Sequence, residues 1–256
     1  MLSISPSSPI LLIRGEVLFP RQKNWQRGTK MSLLGFLRKN ANGGSSDRSE
    51  LASIYEQKGC YCQEYLDAFH AQNPKKNNDY YFTLCEIYTE MERYEDAKDC
   101  LAPITPNSIL DDITRGQLLF CRIMINMETG NIKKATEIYS DKVKFLDRFM
   151  MNPARSKIAG DYHSYCAVMA ACSGDEKTED RYIRRLREWC DIFPKNHVML
   201  EIAQVKVLFA RKSEKAEEAW QQCHQMLLDF SGFRYPWERD YFLKKLDRAR
   251  DITHEA

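Results

Sequence analysis

Apolar side chains recur three and four residues apart along most of this chain, and that period constrains the fold more than any other feature. In residues 132–150 the apolar positions are Ile132, Ala135, Tyr139, Val143, Leu146 and Met150. These positions lie along one face of an α-helix of about five turns. Glycine, proline and asparagine residues separate such segments, and no segment alternates apolar and polar residues for long enough to predict a strand. The sequence therefore predicts an all-α chain whose consecutive helices, joined by short turns, pack antiparallel.

The helices are predicted to come in pairs. The turns within the pairs are expected at Gly59, Glu92, Gly130 and Gly174. Their spacing of about 33 to 44 residues is typical of helix-pair repeats, in which one pair cannot bury its apolar face without a neighbour. Small residues on the second helix, such as Ala97 and Ala135, allow the first helix to approach closely. Bulky residues further along, Leu101 and Tyr139, are expected to fill the space towards the next pair.

Two of these units resemble the tetratricopeptide-repeat family. The family's signature spacings are matched by Tyr81, Leu84, Cys85, Tyr88, Tyr94, Ala97 and Leu101 in one unit and by Gly130, Ile132, Ala135 and Tyr139 in the next. The first half of the Gly130 unit departs from the pattern, with Asn126 where an aromatic residue is usual. The units around Gly59 and Gly174 match loosely, with Glu64 and Glu179 where a small residue is usual. The resemblance covers residues 47–230 and implies an irregular, right-handed helical solenoid of antiparallel helix pairs.

The chain is predicted to have two regions. Residues 1–46 form a disordered leader and linker, and residues 47–256 form the helical-repeat domain. The last helix, at about 236–253, begins at a proline, where proline is tolerated. We expect this helix to cap the end of the stack through Trp237, Leu243 and Leu246, because terminal repeats need a capping surface to stay soluble.

Two hypotheses describe the first thirty residues. The codons for Arg27 and Gly28 can be purine-rich, as in a bacterial ribosome-binding site, and they lie just before Met31. On the first hypothesis Met31 is the native start and residues 1–30 are translated leader sequence. On the second, residues 1–30 are a disordered tail of the protein itself.

The charge distribution, the cysteines and the hydropathy of the chain bear on nucleic-acid binding, on cellular location and on membrane insertion. The net charge is +2, of which residues 1–30 contribute +4, so the rest of the chain carries −2 and offers no general attraction to nucleic acid. The basic run at 181–187 is flanked by acidic residues, and mutual pairing on a solvated helix face is favoured over a phosphate or nucleic-acid patch. The nine cysteines form no CxxC pair and are typical of free cytosolic thiols. No apolar run is long enough to span a bilayer. These features predict a cytoplasmic, bacterial protein without an integral membrane segment.

No motif in the sequence predicts an enzyme, a cofactor or a metal site. His163 and Cys166 are three residues apart on a helix and could meet as a nucleophilic pair, although their segment is more typical of a packed inner helix. Cys60, Cys62 and His70 lack a fourth ligand at a plausible spacing for metal. A cysteine-dependent enzyme is kept as an alternative, and it predicts that Cys166→Ser abolishes activity without loss of stability.

The remaining candidate site is the inner surface of the solenoid. In the tetratricopeptide family the first helix of each pair lines a concave groove that binds a peptide or a partner helix. Carried over to this chain, the groove is lined by Phe82, Glu86, Thr89, Phe120, Met124, Met127, Ser164 and Val168. The lysines and asparagines with which some family members clamp a terminal carboxylate are absent from these positions. Burial of Phe120 and the methionines by a neighbouring unit is the alternative.

The sequence therefore predicts a non-catalytic scaffold or adaptor that binds a protein or peptide partner in its groove. The alternative is a ligand- or peptide-sensing regulatory domain that acts with a separate effector. Neither the partner's identity nor the oligomeric state follows from the sequence.

Overall fold

A computed structural model of the chain describes residues 50–104, 111–151, 156–192 and 197–253. Within these ranges the chain forms eleven α-helices and no strand, which confirms the all-α prediction. The helices are α1 (Glu50–Lys58), α2 (Gln63–Gln72), α3 (Asn78–Glu90), α4 (Tyr94–Asp99), α5 (Asp112–Glu128), α6 (Ile132–Met150), α7 (Ser156–Cys172), α8 (Glu176–Ile192), α9 (His197–Ala210), α10 (Ala216–Asp229) and α11 (Pro236–Asp247). Short 3-10 helices follow at Ala102–Ile104 and Arg250–Thr253. The predictions for residues 1–46, including a start at Met31, lie outside the described residues.

Each turn within a helix pair contains one residue in the left-handed region of backbone conformation. These residues are Gly59 (φ 79°), Glu92 (59°), Gly130 (75°), Gly174 (69°) and Lys212 (53°). Three of the turns close with a hydrogen bond from the following residue to the carbonyl five positions back, as in Asp175 N to Ala170 O at 3.0 Å. This bond satisfies a carbonyl that the helix end would otherwise leave unpaired. Each of the four turns predicted from sequence separates two helices that contact each other.

The second helix of a pair packs closely on the first. Ala97 on α4 and Ala135 on α6 are fully buried, as their small size led us to expect. On the opposing side of the α5–α6 pair, Gly116 lies under the ring of Phe149, and a Cβ atom at Gly116 would lie only 2.5 Å from that ring. The close approach of α5 and α6 therefore depends on small side chains from both helices.

Successive pairs are joined through their first helices. α3 contacts α5, α5 contacts α7, and α7 contacts α9, while each second helix also contacts the first helix of the following pair from α4 onward. One large hydrophobic cluster runs from Leu51 in α1 to Ala210 in α9, and a second cluster joins α9, α10 and α11. The core thus lies between neighbouring pairs as well as within them.

Glu179 is the clearest departure from the repeat pattern, and the structure accommodates it with an ion pair. The Glu179 side chain is buried on α8, where a small residue was expected, and burial raises the pKa of its carboxyl group. The guanidinium of Arg211, in the turn of the next pair, donates to Glu179 Oε2 at 2.7 Å and opposes that shift. At the position where Ala97 and Ala135 pack in other pairs, this pair therefore has a buried carboxylate that is compensated by a cation from the neighbouring pair.

The last helix does more than cap the stack. α11 begins at Pro236, and the Glu238 side chain accepts a hydrogen bond from the backbone N–H of Tyr235 at 3.1 Å. Leu246 is fully buried against α9 and α10, in agreement with a capping role. The same helix, however, also contacts α1 at the other end of the described helices. Trp237, which was expected to cover the end of the stack, makes this contact.

Candidate functional site

The predicted groove residues are mostly part of the core. The buried ones are Phe82, Thr89, Phe120, Met124, Ser164 and Val168. Phe82, Phe120, Met124 and Val168 belong to the large hydrophobic cluster, and Thr89 Oγ1 donates to the backbone carbonyl of Cys85 at 2.8 Å. Glu86 and Met127 are the two predicted groove residues with solvent-exposed surface. The floor that sequence reasoning assigned to a partner is thus filled largely by the packing of the helices themselves.

α11 has two faces, and one of them meets side chains from the first helices of several pairs. Its first face carries Phe242, Leu246 and the following Ala249, which pack with α9 and α10. Its second face carries Trp237, Tyr241 and Lys245, and Arg248 extends the same line just beyond the end of the helix. We call these four residues the aromatic–basic stripe. Its partners come from α1, α3, α5 and α7 and from the turns that follow the first two of these helices.

Aromatic rings form the first part of the contact. The indole of Trp237 packs edge-on against Tyr55 with ring centroids 5.3 Å apart, and its Nε1–H donates to the Tyr55 carbonyl at 2.8 Å. The ring of Tyr61 stacks on Tyr241 at 6.1 Å. Trp237 also lies against the turn at Gly59, where a Cβ atom would come within 3.0 Å of the indole. A glycine at this turn therefore serves both the positive φ and the approach of α11.

Carboxylates form the second part of the contact. Glu90 accepts a hydrogen bond from the Tyr241 hydroxyl at 3.0 Å and lies 3.4 Å from Lys245 Nζ. Glu92 lies 2.9 Å from Lys244 Nζ. Asp161 on α7 lies 3.6 Å from Lys245 Nζ, so this ammonium group is shared between two helices.

Arg248 joins two of the first-helix ends. Its guanidinium contacts Glu92 at 2.7 Å and also pairs with Glu128 at the end of α5. The Glu128 side chain is only 5% exposed, and its second oxygen accepts a hydrogen bond from the Tyr165 hydroxyl at 2.6 Å. Together with Tyr55, Tyr61, Glu90 and Asp161, the carboxylates Glu92 and Glu128 form what we call the acidic–tyrosine surface.

The electrostatics of this surface require a basic neighbour. Burial raises the pKa of the Glu128 carboxyl group, but the charges of Lys206, Lys245 and Arg248 outweigh burial and lower this pKa to about 2. A hydrogen bond from Lys244 and contacts with Arg248 likewise lower the pKa of Glu92. Removing these cations would leave charged carboxylates in a partly dry environment, which is costly.

The pKa values of Lys206 and Lys245 shift in opposite directions. Lys206 on α9 is buried, and burial lowers the pKa of its ammonium group despite the attraction of Glu128. Burial also acts against the charge of Lys245, but Asp161 and Glu90 outweigh burial and raise its pKa. The acidic–tyrosine surface therefore stabilises the charged form of Lys245 on α11 more strongly than that of Lys206.

A second polar cluster lies between α6, α7 and α8. Asp147 accepts hydrogen bonds from the hydroxyls of Tyr182 at 2.7 Å and Tyr162 at 2.9 Å, and its other oxygen lies 3.0 Å from Arg185. Next to it, His163 is buried, and its Nδ1 atom has no hydrogen-bond partner within the described ranges. Burial, with the nearby charge of Arg185, lowers the pKa of His163 to about 4.

The candidate nucleophile lies in this cluster without being activated. Cys166 is fully buried, and burial raises the pKa of its thiol, although contacts with two tyrosine hydroxyls oppose the shift. The thiolate is the reactive form of cysteine, and a raised pKa lowers its population at neutral pH. All nine cysteines are free thiols, and six of them are buried. Cys166 therefore lacks both the access and the activation that a catalytic thiol needs.

The other sequence candidates form no site of their own. Of the basic run, Arg185 pairs with Asp147, Arg181 lies over the ring of Tyr182, and Arg184 and Arg187 are exposed. No cluster of three or more His, Cys, Asp or Glu side chains suited to a metal ion occurs in the part of the chain that the structure describes. In the same part, no helix combines the length and the apolar character needed to cross a bilayer.

Sequence reasoning missed the acidic–tyrosine surface because its members are dispersed. The one available signal lay in α11, where Trp237, Tyr241 and Lys245 recur every four residues on a face away from Leu246. Nothing near Glu90 or Glu128 distinguishes these carboxylates from ordinary solvated ones.

Comparison of this chain with protein-family models, with curated proteins and with solved structures finds no match. Its resemblance to helix-pair repeats therefore rests on its own residues and their packing.

Proposed function

We propose that this chain is a non-catalytic, tetratricopeptide-like scaffold that binds another protein, and that the partner presents a helix or peptide to the surface formed by the first helices of successive pairs. The observation that carries the proposal is the position of α11. α11 meets side chains of α1, α3 and α7, and Arg248 just beyond its end meets Glu128 of α5, so the surface accommodates an α-helix. Helix-in-groove binding is a common mode of peptide recognition.

The contact between this surface and the stripe of α11 is rich in residue types that bind other proteins. Tyrosines come from both sides, and Trp237 and Arg248 come from the stripe; these residue types are enriched where proteins bind one another. Glu86 and Met127 have solvent-exposed surface on α3 and α5, the helices that also carry Glu90 and Glu128. A partner could therefore reach them without unpacking the core.

One observation favours the regulatory alternative as a second candidate. α11 contacts α1, so the two ends of the described array are connected. A ligand that separates them would change the shape of the whole array, as a sensing domain requires.

The binding proposal is tested by site-specific photo-crosslinking in the cells that make the protein. Benzoylphenylalanine is placed at Met127 or at Glu86, and, as a matched control, at the exposed residue Glu137 on α6. We expect the same protein to crosslink at Met127 and Glu86 and to be missing at Glu137. If the groove positions capture nothing beyond what Glu137 captures, the proposal is wrong. A Met124→Asp variant would not serve, because Met124 is buried and a carboxylate there would disturb the core.

A further inference from the structure

We propose that α11 is a resident occupant of the acidic–tyrosine surface, and that the partner is a helix with the same chemistry: two aromatic residues one turn apart, followed by lysine and arginine over the next two turns. This inference rests on the proposed function and names both its partner class and its regulation. On this proposal the partner binds by displacing the aromatic–basic stripe of α11.

The first argument is that the two faces of α11 have different roles. Leu246 and Ala249 are fully buried against α9 and α10, and this apolar contact joins helices that are close in sequence. The aromatic–basic stripe joins α11 to residues that are distant in the chain, from Asp161 on α7 to Tyr55 on α1. The stripe is therefore not needed to complete the α9–α10 pair. It is a separate interface, made within one chain.

The second argument is that this interface is polar and incompletely packed. Lys244 is half-exposed, and the two ion-pair distances of Lys245 are 3.4 and 3.6 Å. A cavity of about 80 Å³ remains between α11, Tyr61 and Glu90. Protein cores are close-packed, whereas interfaces between proteins that associate reversibly are more polar and hold water. The contact resembles the second class.

The third argument identifies the chemistry of the partner. Glu128 is almost completely buried, and its ionised form depends on Lys206, Lys245 and Arg248, two of which belong to the stripe. An occupant without cations at these positions would leave the buried Glu128 with Lys206 but without its ion pair to Arg248 and the charge of Lys245, which disfavours its binding. An occupant without aromatic rings would leave the indole position between Tyr55 and the Gly59 turn empty. Only a helix with both features can replace α11 without loss.

The consequence is a self-limited affinity. While α11 occupies the surface, only the open fraction of molecules can bind, and the apparent affinity falls in proportion to that fraction. Because α11 is tethered, its effective concentration at the surface is high, so a partner has to match its contacts closely.

The test uses a fluorescein-labelled peptide with the sequence of residues 234–250, RYPWERDYFLKKLDRAR. Its binding is measured by anisotropy to the full-length protein and to a full-length Trp237→Ala, Leu246→Ala variant, in which both faces of α11 are weakened. We expect the variant to bind the peptide at least tenfold more tightly than the unmodified protein does. A control peptide with Lys245→Glu and Arg248→Glu should bind the variant at least tenfold more weakly. Equal affinities of the two proteins, or of the two peptides, would overturn the proposal.

A second measurement keeps the test decisive if the variant does not fold. A peptide carrying benzoylphenylalanine in place of Tyr241 is photolysed with the unmodified protein at high peptide concentration. We expect the crosslink next to Tyr61 and Glu90, and a crosslink elsewhere, or none, contradicts the proposal. If cellular crosslinking at Met127 captures a partner but the peptide does not bind, the proposal that the partner resembles α11 and displaces it is wrong, while the proposed function stands. If the peptide binds and no partner is captured, the proposed function is the part that fails.

Discussion

Replacing Gly59 by alanine should weaken the attachment of α11 more than any other single methyl group would. Gly59 has a φ of 79°, and a Cβ atom there would lie 3.0 Å from the indole of Trp237. The left-handed conformation costs alanine about 1 kcal/mol. Displacing the indole adds the loss of its hydrogen bond to the Tyr55 carbonyl, about 1 kcal/mol, and of aromatic contacts worth about 0.5–1.5 kcal/mol. We therefore expect a total loss of about 2.5–3.5 kcal/mol in the free energy of unfolding.

Gly174→Ala is the matched control for this prediction. Gly174 has a φ of 69° in the equivalent turn of another pair, but none of the described atoms lies within 4 Å of the position its Cβ would take. Gly174→Ala should therefore cost only the backbone strain of about 1 kcal/mol. Alanine restricts the unfolded chain equally in both variants, so this effect cancels in the comparison.

Urea denaturation measures both variants, and hydrogen exchange locates the effect. Amides of 237–247 should exchange faster in Gly59→Ala than in Gly174→Ala, while those of 158–172 should be unchanged in both. Equal losses of stability in the two variants, with unchanged exchange in α11, would refute the reasoning that the turn at Gly59 holds the last helix in place.

Three further predictions concern the rest of the molecule. The pKa of His163 is lowered to about 4, so between about pH 6.5 and 4 the unfolded state binds more protons than the folded state. Lowering the pH through this range should therefore reduce the free energy of unfolding of the natural protein by about 3 kcal/mol more than that of His163→Leu. Urea denaturation of both proteins at pH 7 and pH 4 measures this difference. Arg211→Leu should lower the free energy of unfolding by about 1–3 kcal/mol, because it leaves the buried Glu179 without its ion pair. Adding Glu179→Gln to this variant should restore part of the lost stability, and no recovery in the double variant would contradict the pairing. Gly116→Ala should lower the free energy of unfolding by about 1–3 kcal/mol, because the new methyl group collides with Phe149. Phe149→Ala in the same chain should relieve the collision, and a double-mutant cycle measures the coupling between the two positions.

The helix pairs could be predicted because they depend on short stretches of sequence. The apolar period of 132–150 gives α6 with both ends in place, since the stripe ends where the turns begin. Gly59, Gly130 and Gly174 mark the turns because glycine tolerates a positive φ. Glu92 has the same conformation without that advantage, and only its alignment with the other units indicated the turn.

The candidate site was predicted less well because it depends on distant contacts. Phe120 and Val168 were expected to line a groove, but the first helices of successive pairs approach each other and bury these side chains. The spacing of a repeat places a residue on the inner side of its helix. It does not set how closely two such helices pack, so exposure cannot be read from the pattern. The same limit applies to Glu128, whose ion pair comes from Arg248, more than a hundred residues away in the chain.

The composition of α11 nevertheless contains more information than a capping role uses. At 100° per residue, the aromatic–basic stripe and the apolar line of Phe242, Leu246 and Ala249 are centred about 110° apart on the helix. A helix that only capped the stack would need one buried face, and its second face would be covered by solvated charges. Here the second face begins with a tryptophan and a tyrosine, which are costly to leave in water, and continues with cations that match the carboxylates opposite. A helix built in this way needs a second neighbour. In the described chain that neighbour is the acidic–tyrosine surface, and the same requirement is what a competing helix would have to meet.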